Sequence, residues 1–190
     1  MMMVTYAAII FLFFLPSEFV FSDQRIPLQI LGLLATSTIA IPVVTILILW
    51  KLGNVKSIRI EEQKERNWPL LLAAIIYLGA FYIVQNKVVP LLIQLFILGA
   101  IVGILFSLIV NLKWKISLHM IGAGGLCGGV VAAMILQQSG NPLLLAILFL
   151  MTGILGTARL FLNAHSPSQI FSGFIAGFTI EFLLLFLMLR

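Results

Sequence analysis

The chain has 190 residues, of which 62% are hydrophobic and 9% are charged, and its mean hydropathy is +1.21. A soluble domain carries about 25% charged residues, so this composition excludes a soluble globular fold, because too little charge is left to cover its surface. The net charge of +5 does not indicate nucleic-acid binding, because the basic residues lie at the ends of apolar runs and not on one surface interleaved with aromatics. The sequence predicts a single integral membrane domain over residues 1–190, with the lipid bilayer around it.

Long apolar runs bounded by charges or by Pro and Gly predict the helices. A run of about 20 apolar residues is long enough to cross a bilayer. Such runs predict helices at residues 4–21, 28–50, 69–86, 89–111, 117–137, 142–160 and 169–189. A closed β-barrel would need short strands of alternating polarity, whereas these runs are continuously apolar. We therefore expect an all-α polytopic transmembrane helical bundle of about six to seven spans, whose first helix is retained because no basic region or cleavage site marks a signal peptide.

Small residues recur at one-turn spacing within these helices. The pairs are Gly99/Gly103, Gly125/Gly129 and Gly173/Gly177. Such spacing lets helix backbones approach closely in lipid, within one chain or between chains, so the oligomeric state stays open. The five glycines between residues 122 and 129 are more closely spaced than helix packing requires. An alternative to packing is that they let a ligand approach the helix backbone closely. Cys127, the single cysteine, lies among them and excludes an intrachain disulfide.

Three polar clusters interrupt the apolar runs, at residues 51–67, 113–119 and 159–169. Each is separated from the one before by two predicted spans, so all three must lie on the same face of the membrane. Both histidines of the chain, His119 and His165, fall within these clusters, and Arg159 accompanies the second. Ionisable groups near lipid are costly and tend to mark functional sites. The sequence therefore predicts one polar site at this face.

The residue types at this face favour phosphoryl transfer. A metal site would need more ligands than two histidines, since no nearby Cys or Asp completes the set. A serine hydrolase would need an acid behind the histidine and a nucleophile elbow, and neither is present. Arginines bind phosphate oxygens bidentately, while one imidazole can attack phosphorus and the other can protonate the leaving oxygen.

These residues resemble the type 2 phosphatidic acid phosphatase superfamily, membrane lipid phosphatases related in fold to vanadium haloperoxidases. Its third motif is Ser-Arg, five residues, His, three residues, Asp. The sequence keeps this spacing with Ala158-Arg159, His165 and Gln169, and the Gly that often follows is present at Gly173.

The other two motifs are matched in part, so that the resemblance covers about residues 59–177. The second motif, Pro-Ser-Gly-His, corresponds to Ile116-Ser117-Leu118-His119. The first, Lys, six residues, Arg-Pro, corresponds to Arg59 and Arg66, with the proline displaced to Pro69. The three partial motifs occur in the family's order.

The resemblance implies a lipid phosphatase that acts on a phosphomonoester or pyrophosphate without metal or other cofactor. His165 would be the nucleophile that forms a phosphohistidine, and His119 the general acid. The phosphate would be bound by Arg159, Arg66 and Arg59, with a hydrogen bond from Ser117 and a further cation in Lys115. Lys115 is as readily interpreted as an interfacial anchor. The partner is then a membrane lipid with a phosphate headgroup.

Two further positions, Gln169 and Glu181, bear on this interpretation. Gln169 stands where the family's Asp orients the nucleophilic histidine; it accepts the same hydrogen bond but brings no negative charge. Glu181 is the one acid inside the last six predicted spans, and it cannot replace that Asp, since twelve helical residues separate it from Gln169, about 18 Å. A hydrogen-bonded structural residue and a proton relay are its two interpretations.

Three hypotheses for the function follow. The first is the phosphatase, and the second is a catalytically degraded relative that binds an anionic lipid or a partner without turnover. The third is a small transporter that uses Glu181 and the glycine-rich helix. The resemblance implies a bacterial inner-membrane location with the site on the periplasmic side. The chain has eleven Lys and Arg residues, and eight of them lie on the membrane face that carries the three polar clusters. This excess favours a cytoplasmic side for the site.

Overall fold

The described part of the chain consists of helices joined by short connections, with no β-strand. The structure is a computed structural model and describes residues 3–13, 25–57, 60, 62–85, 89–138 and 140–190. Its α-helices are α1 (Met3–Phe13), α2 (Arg25–Ala35), α3 (Ile41–Lys51), α4 (Asn67–Gln85), α5 (Leu91–Asn111), α6 (Leu118–Leu136), α7 (Pro142–Phe161) and α8 (Pro167–Leu189).

The predicted all-α bundle is confirmed. Within the described residues, six helical segments are long and apolar enough to cross a membrane. The last five predicted helices agree with α4 to α8 to within two residues at each end. Of the first predicted helix, residues 4–13 are helical in α1, while residues 14–21 lie outside the described part of the chain.

The second predicted helix is continuous but irregular. A π-helical turn, Thr36–Ala40, joins α2 to α3. Pro42 follows it after one residue, Ile41, and a proline inside a helix removes a backbone hydrogen bond and collides with the carbonyl four residues earlier. A wider turn at Thr38 accommodates that collision. The Thr38 hydroxyl lies 2.6 Å from the Thr5 hydroxyl and so links this turn to α1.

The tightest helix pair in the bundle is α6 with α8, which run parallel because α7 carries the chain back between them. A Cβ atom added at any of four glycines would collide with the backbone of the other helix: Gly124 and Gly128 on α6, Gly173 and Gly177 on α8. The packing role predicted for Gly173/Gly177 is confirmed. The predicted pair Gly125/Gly129 also lies in packing contacts, since a Cβ atom at Gly125 would lie 3.1 Å from Glu181 Cγ of α8 and one at Gly129 would collide with the Phe96 ring of α5.

The α6–α8 contact determines where the polar residues lie. Gly173 is the residue of α8 opposite the Ser117 carbonyl, and the Ser117 N–H donates to the Gln169 carbonyl at 3.4 Å. The amino-terminal ends of the two helices are therefore side by side. The second and third predicted motifs are adjacent for this reason.

Candidate functional site

The residues of the three predicted motifs that the structure describes lie together at one end of the bundle. Arg66 precedes α4, Lys115 precedes α6, His119 is in its first turn, Arg159 is in the last turn of α7, and His165 precedes α8. We call these five residues the polar face. The charges of Arg66, Arg159 and Lys115 all act on His165, and His119 lies within electrostatic reach of Arg159, His165 and Arg66. The predicted convergence of the clusters on one face is confirmed.

His165 is buried and its ring is oriented by Gln169. The Nδ1 atom lies 3.1 Å from Gln169 Oε1, and the Ser166 N–H donates to the same oxygen at 3.1 Å. Because a backbone N–H only donates, the atom that faces both groups is the amide oxygen. The His165 Nδ1 atom must then be the protonated one, and the lone pair of the neutral ring lies on Nε2.

A capping box at the start of α8 holds this arrangement. The Ser166 hydroxyl accepts from the Gln169 N–H at 3.4 Å, while the Gln169 side chain accepts from the Ser166 N–H. The Ser-Pro-Ser-Gln sequence favours this cap, with Pro167 at the first helical position where its missing N–H costs nothing. Gln169 therefore has two roles, helix cap and histidine partner.

The environment of His165 keeps its ring neutral. Burial lowers the pKa of His165 to about 4; the hydrogen bond to Gln169 opposes the shift, and the positive charges of Arg66, Arg159 and Lys115 add to it. An unperturbed histidine has a pKa near 6.5. At neutral pH the Nε2 lone pair of His165 is available as a nucleophile.

Arg66 is buried and ties the loop before α4 to the loop before α6. Its Nε donates to the Ile60 carbonyl and its Nη1 to the Ile116 carbonyl, both at 3.3 Å. Ile60 has a φ of 48°, a conformation that β-branched residues rarely adopt. Arg66 therefore uses part of its hydrogen-bonding capacity on the backbone, while its charge acts on His165 and His119.

Two other predicted phosphate ligands carry buried polar atoms without a hydrogen-bond partner. These atoms are Ser117 Oγ and Arg159 Nε. A buried donor with no partner costs about 1–3 kcal/mol, so such atoms in a native structure call for an explanation.

The other predicted residues differ from these in exposure or in position. His119 is exposed and Lys115 half-buried. Arg59 lies outside the described residues. Glu181 is away from the polar face, buried between Gly99 of α5 and Gly125 of α6.

No family model, curated protein or solved structure matches this chain. The chemistry of the site therefore rests on its own side chains.

Sequence reasoning missed a polar network that holds the loop before α4. Asn111 Nδ2 donates to the Gln63 carbonyl at 2.8 Å and to Asn67 Oδ1 at 2.9 Å, and Gln63 Nε2 donates to the Asn111 carbonyl at 2.6 Å. Asn111 is buried at the end of an apolar helix, and a lone polar residue in that position was the available signal. The network fixes Gln63 and Asn67 on either side of Arg66.

Proposed function

We propose that this protein is a metal-independent membrane phosphatase that removes phosphate from a lipid phosphomonoester or pyrophosphate through a phosphohistidine at His165. The observation that carries the proposal is the neutral, buried His165, oriented by Gln169 and surrounded by the charges of Arg66, Arg159 and Lys115. A neutral imidazole in a cationic pocket is suited to attack a phosphate, because the arginines neutralise the anion that would otherwise repel a nucleophile.

The first step forms a P–N bond and breaks a P–O bond. His165 Nε2 attacks phosphorus, the lipid alcohol or phosphate leaves, and His119 gives that leaving oxygen a proton. The negative charge of the bound phosphate stabilises the protonated form of the His119 imidazole. In the second step water attacks the phosphohistidine, His119 takes the water's proton, and inorganic phosphate leaves.

The phosphate ligands follow from the groups that lack partners. Ser117 Oγ and Arg159 Nε would donate to phosphate oxygens, and Arg66 would add the charge of its guanidinium group. Lys115 supplies a further charge. The headgroup would bind at this face while the lipid tail stays in the bilayer. This bilayer would be a bacterial inner membrane.

The neutral Gln169 favours a second candidate function, binding of an anionic lipid headgroup without turnover. When His165 attacks phosphorus its ring becomes a cation, and Gln169 accepts a hydrogen bond from that ring without the charge of a carboxylate. A protein of this kind would retain phosphate affinity and release no phosphate.

Phosphate release by the protein in lipid nanodiscs, with EDTA present, tests the proposal. The substrates are phosphatidic acid, phosphatidylglycerol phosphate and undecaprenyl pyrophosphate, with p-nitrophenyl phosphate as an activated ester. His165→Ala should abolish release from all of them. His119→Ala should slow lipid hydrolysis but spare the first-turnover release of nitrophenolate from the activated ester, because nitrophenolate leaves without a proton.

The trapped intermediate provides a second readout. Brief reaction with radiolabelled substrate should leave an acid-labile, base-stable label on the wild type and none on His165→Ala. Phosphate binding with no label and no release, in both wild type and Gln169→Asp, would favour the binding protein over the phosphatase.

A further inference from the structure

A cavity of about 70 Å³ lies in the interior of the bundle, below the polar face. It is bordered by α1, α4, α5, α6 and α8. Its lining extends from Phe96, in the second turn of α5, and Glu181, in the middle part of α8, to Ser107 near the end of α5 and Leu118 at the start of α6. Leu118 lies between Ser117 and His119 in the chain, so the lining extends toward the end of the bundle that carries the polar face.

Among the described residues that line this cavity, Glu181 is the one acidic or basic residue, and Tyr77 is the one other titratable residue. Glu181 is 3% exposed, and its Oε2 atom has no hydrogen-bond partner. A Cβ atom at Gly99 would collide with its carboxyl group, and one at Gly125 would lie 3.1 Å from its Cγ. The two glycines therefore make the space that the carboxyl group occupies.

The volume of the cavity decides what fits in it. A dry cavity of about 150 Å³ binds benzene, whereas a single water needs about 10–15 Å³. At about 70 Å³ the cavity is too small for a lipid chain and large enough for several waters. Waters are retained where two to four polar groups bind them.

Polar and small residues along α5 provide a path for such waters. Gly99, Gly103, Ser107 and Asn111 are spaced four residues apart and are all buried, so they form one stripe on the face of α5. From Gly99 to Ser107 this stripe rises about 12 Å. It connects the carboxyl group of Glu181 with the loop that holds Arg66.

Aromatic rings pack at the opposite end of the cavity. Phe96 lines the cavity, packs where a Cβ atom of Gly129 would lie, and makes an edge-to-face contact with Phe11 at 5.6 Å between ring centroids.

We infer that the cavity holds a chain of water molecules and that Glu181 is a proton-binding site reached from the polar face through this chain. The waters satisfy the otherwise unpartnered carboxyl oxygen. Glu181 carries the proton because a carboxylate in this cavity would lack a counter-ion. Since the rings of Phe96 and Phe11 pack at the far end, proton exchange runs through the end of the cavity near the polar face.

Infrared spectroscopy of the protein in nanodiscs, transferred from H2O to D2O at neutral pH, tests the inference. We expect a protonated-carboxyl C=O band that is missing in Glu181→Gln and that shifts to lower frequency in D2O within minutes. Gly103→Leu should slow this shift about tenfold or more by displacing the waters. Its new Cβ atom makes an ordinary 3.5 Å contact with Ile121.

Gly79→Leu is the matched control, since Gly79 is exposed and a Cβ atom there meets nothing within 4 Å; the shift should keep its rate. The inference is overturned if the wild type lacks a Glu181 carboxyl band, if the band does not shift in D2O, or if folded Gly103→Leu exchanges as fast as Gly79→Leu. The wild-type spectra decide the matter even if Gly103→Leu does not fold. Phosphate release is not the readout, so failure of the phosphatase proposal leaves this test unchanged.

Discussion

Gln169 Oε1 accepts from His165 Nδ1 at 3.1 Å while it also accepts the N–H that begins helix α8, from Ser166. One oxygen thus fixes the amide orientation, the tautomer of the imidazole and the position of the ring at the helix start. Because this oxygen belongs to a neutral amide, a cation formed on His165 in the proposed phosphoryl transfer would have the charges of Arg66 and Arg159 near it and no carboxylate in the position of Gln169.

Replacement of Gln169 by Asp should raise the rate of phosphate release. A carboxylate stabilises the imidazolium that forms as His165 attacks, and loss of such a carboxylate in serine proteases costs about ten-thousandfold. We expect kcat in Gln169→Asp to rise about tenfold or more, since the shorter side chain recovers only part of that effect. Gln169→Asn is the control of equal length without charge, and equal rates in the two variants would contradict the prediction.

The titration of His165 should lie well below that of an ordinary histidine. Burial has the largest effect on the pKa of His165, and the nearby cations add to it, which brings this pKa to about 4. Histidine-selective NMR should therefore show a neutral ring down to about pH 5. In Gln169→Asp the added negative charge should move this titration upward. A His165 titration near pH 6.5 in the wild type would show that the pocket is more open to water than the structure indicates.

The same shift makes the stability of the fold depend on pH. Between about pH 6.5 and pH 4 the unfolded chain binds a proton at His165 and the folded chain does not, so this contribution is present above pH 6.5 and is lost as the pH falls toward 4. The slope attributable to His165 is at most about 1.4 kcal/mol per pH unit. Unfolding in detergent from pH 7.5 to pH 4.5 should show a smaller slope for His165→Asn than for the wild type.

The bundle and the convergence of its polar clusters could be predicted because both follow from local sequence. The length of an apolar run determines whether a helix crosses the membrane, and the number of spans between two clusters determines whether they share a face. Arg159 and His165 are therefore found at the same end of the bundle as Lys115. No long-range contact had to be known for this result.

The contacts within the site could not be predicted, because they join residues far apart in sequence. Arg66 bonds to Ile116, fifty residues later, and Asn111 bonds to Gln63, forty-eight residues earlier. The partner helix of each glycine could not be predicted either, since the glycines between 122 and 129 offer several pairs at one-turn spacing. Only the packed structure places Gly124 and Gly128 against the backbone of α8.

Loss of the Asn111 side chain should weaken anion binding at the polar face. Asn111→Leu removes two hydrogen bonds that flank Arg66 and leaves the Gln63 carbonyl unpartnered, which costs about 1–3 kcal/mol of stability. We expect KM to rise more than kcat falls, because the loop that carries Arg66 loosens while His165 and Gln169 are untouched. A change in kcat alone would show that this network acts on the chemical step instead.

Alanine at Gly177 should destabilise the α6–α8 pair. Its Cβ atom would collide with the Ile121 carbonyl, and backbone cannot move aside as a flexible side chain can, so overpacking should cost about 1–3 kcal/mol. Gly153→Ala on α7 is the matched control, since a Cβ atom there meets nothing within 4 Å and alanine gains up to about 1 kcal/mol of helix propensity. Unfolding of both variants in detergent should therefore shift in opposite directions. An unchanged transition for Gly177→Ala would mean that the two backbones do not approach as closely as the structure has them, and the adjacency of Ser117 and Gln169 would then need another cause.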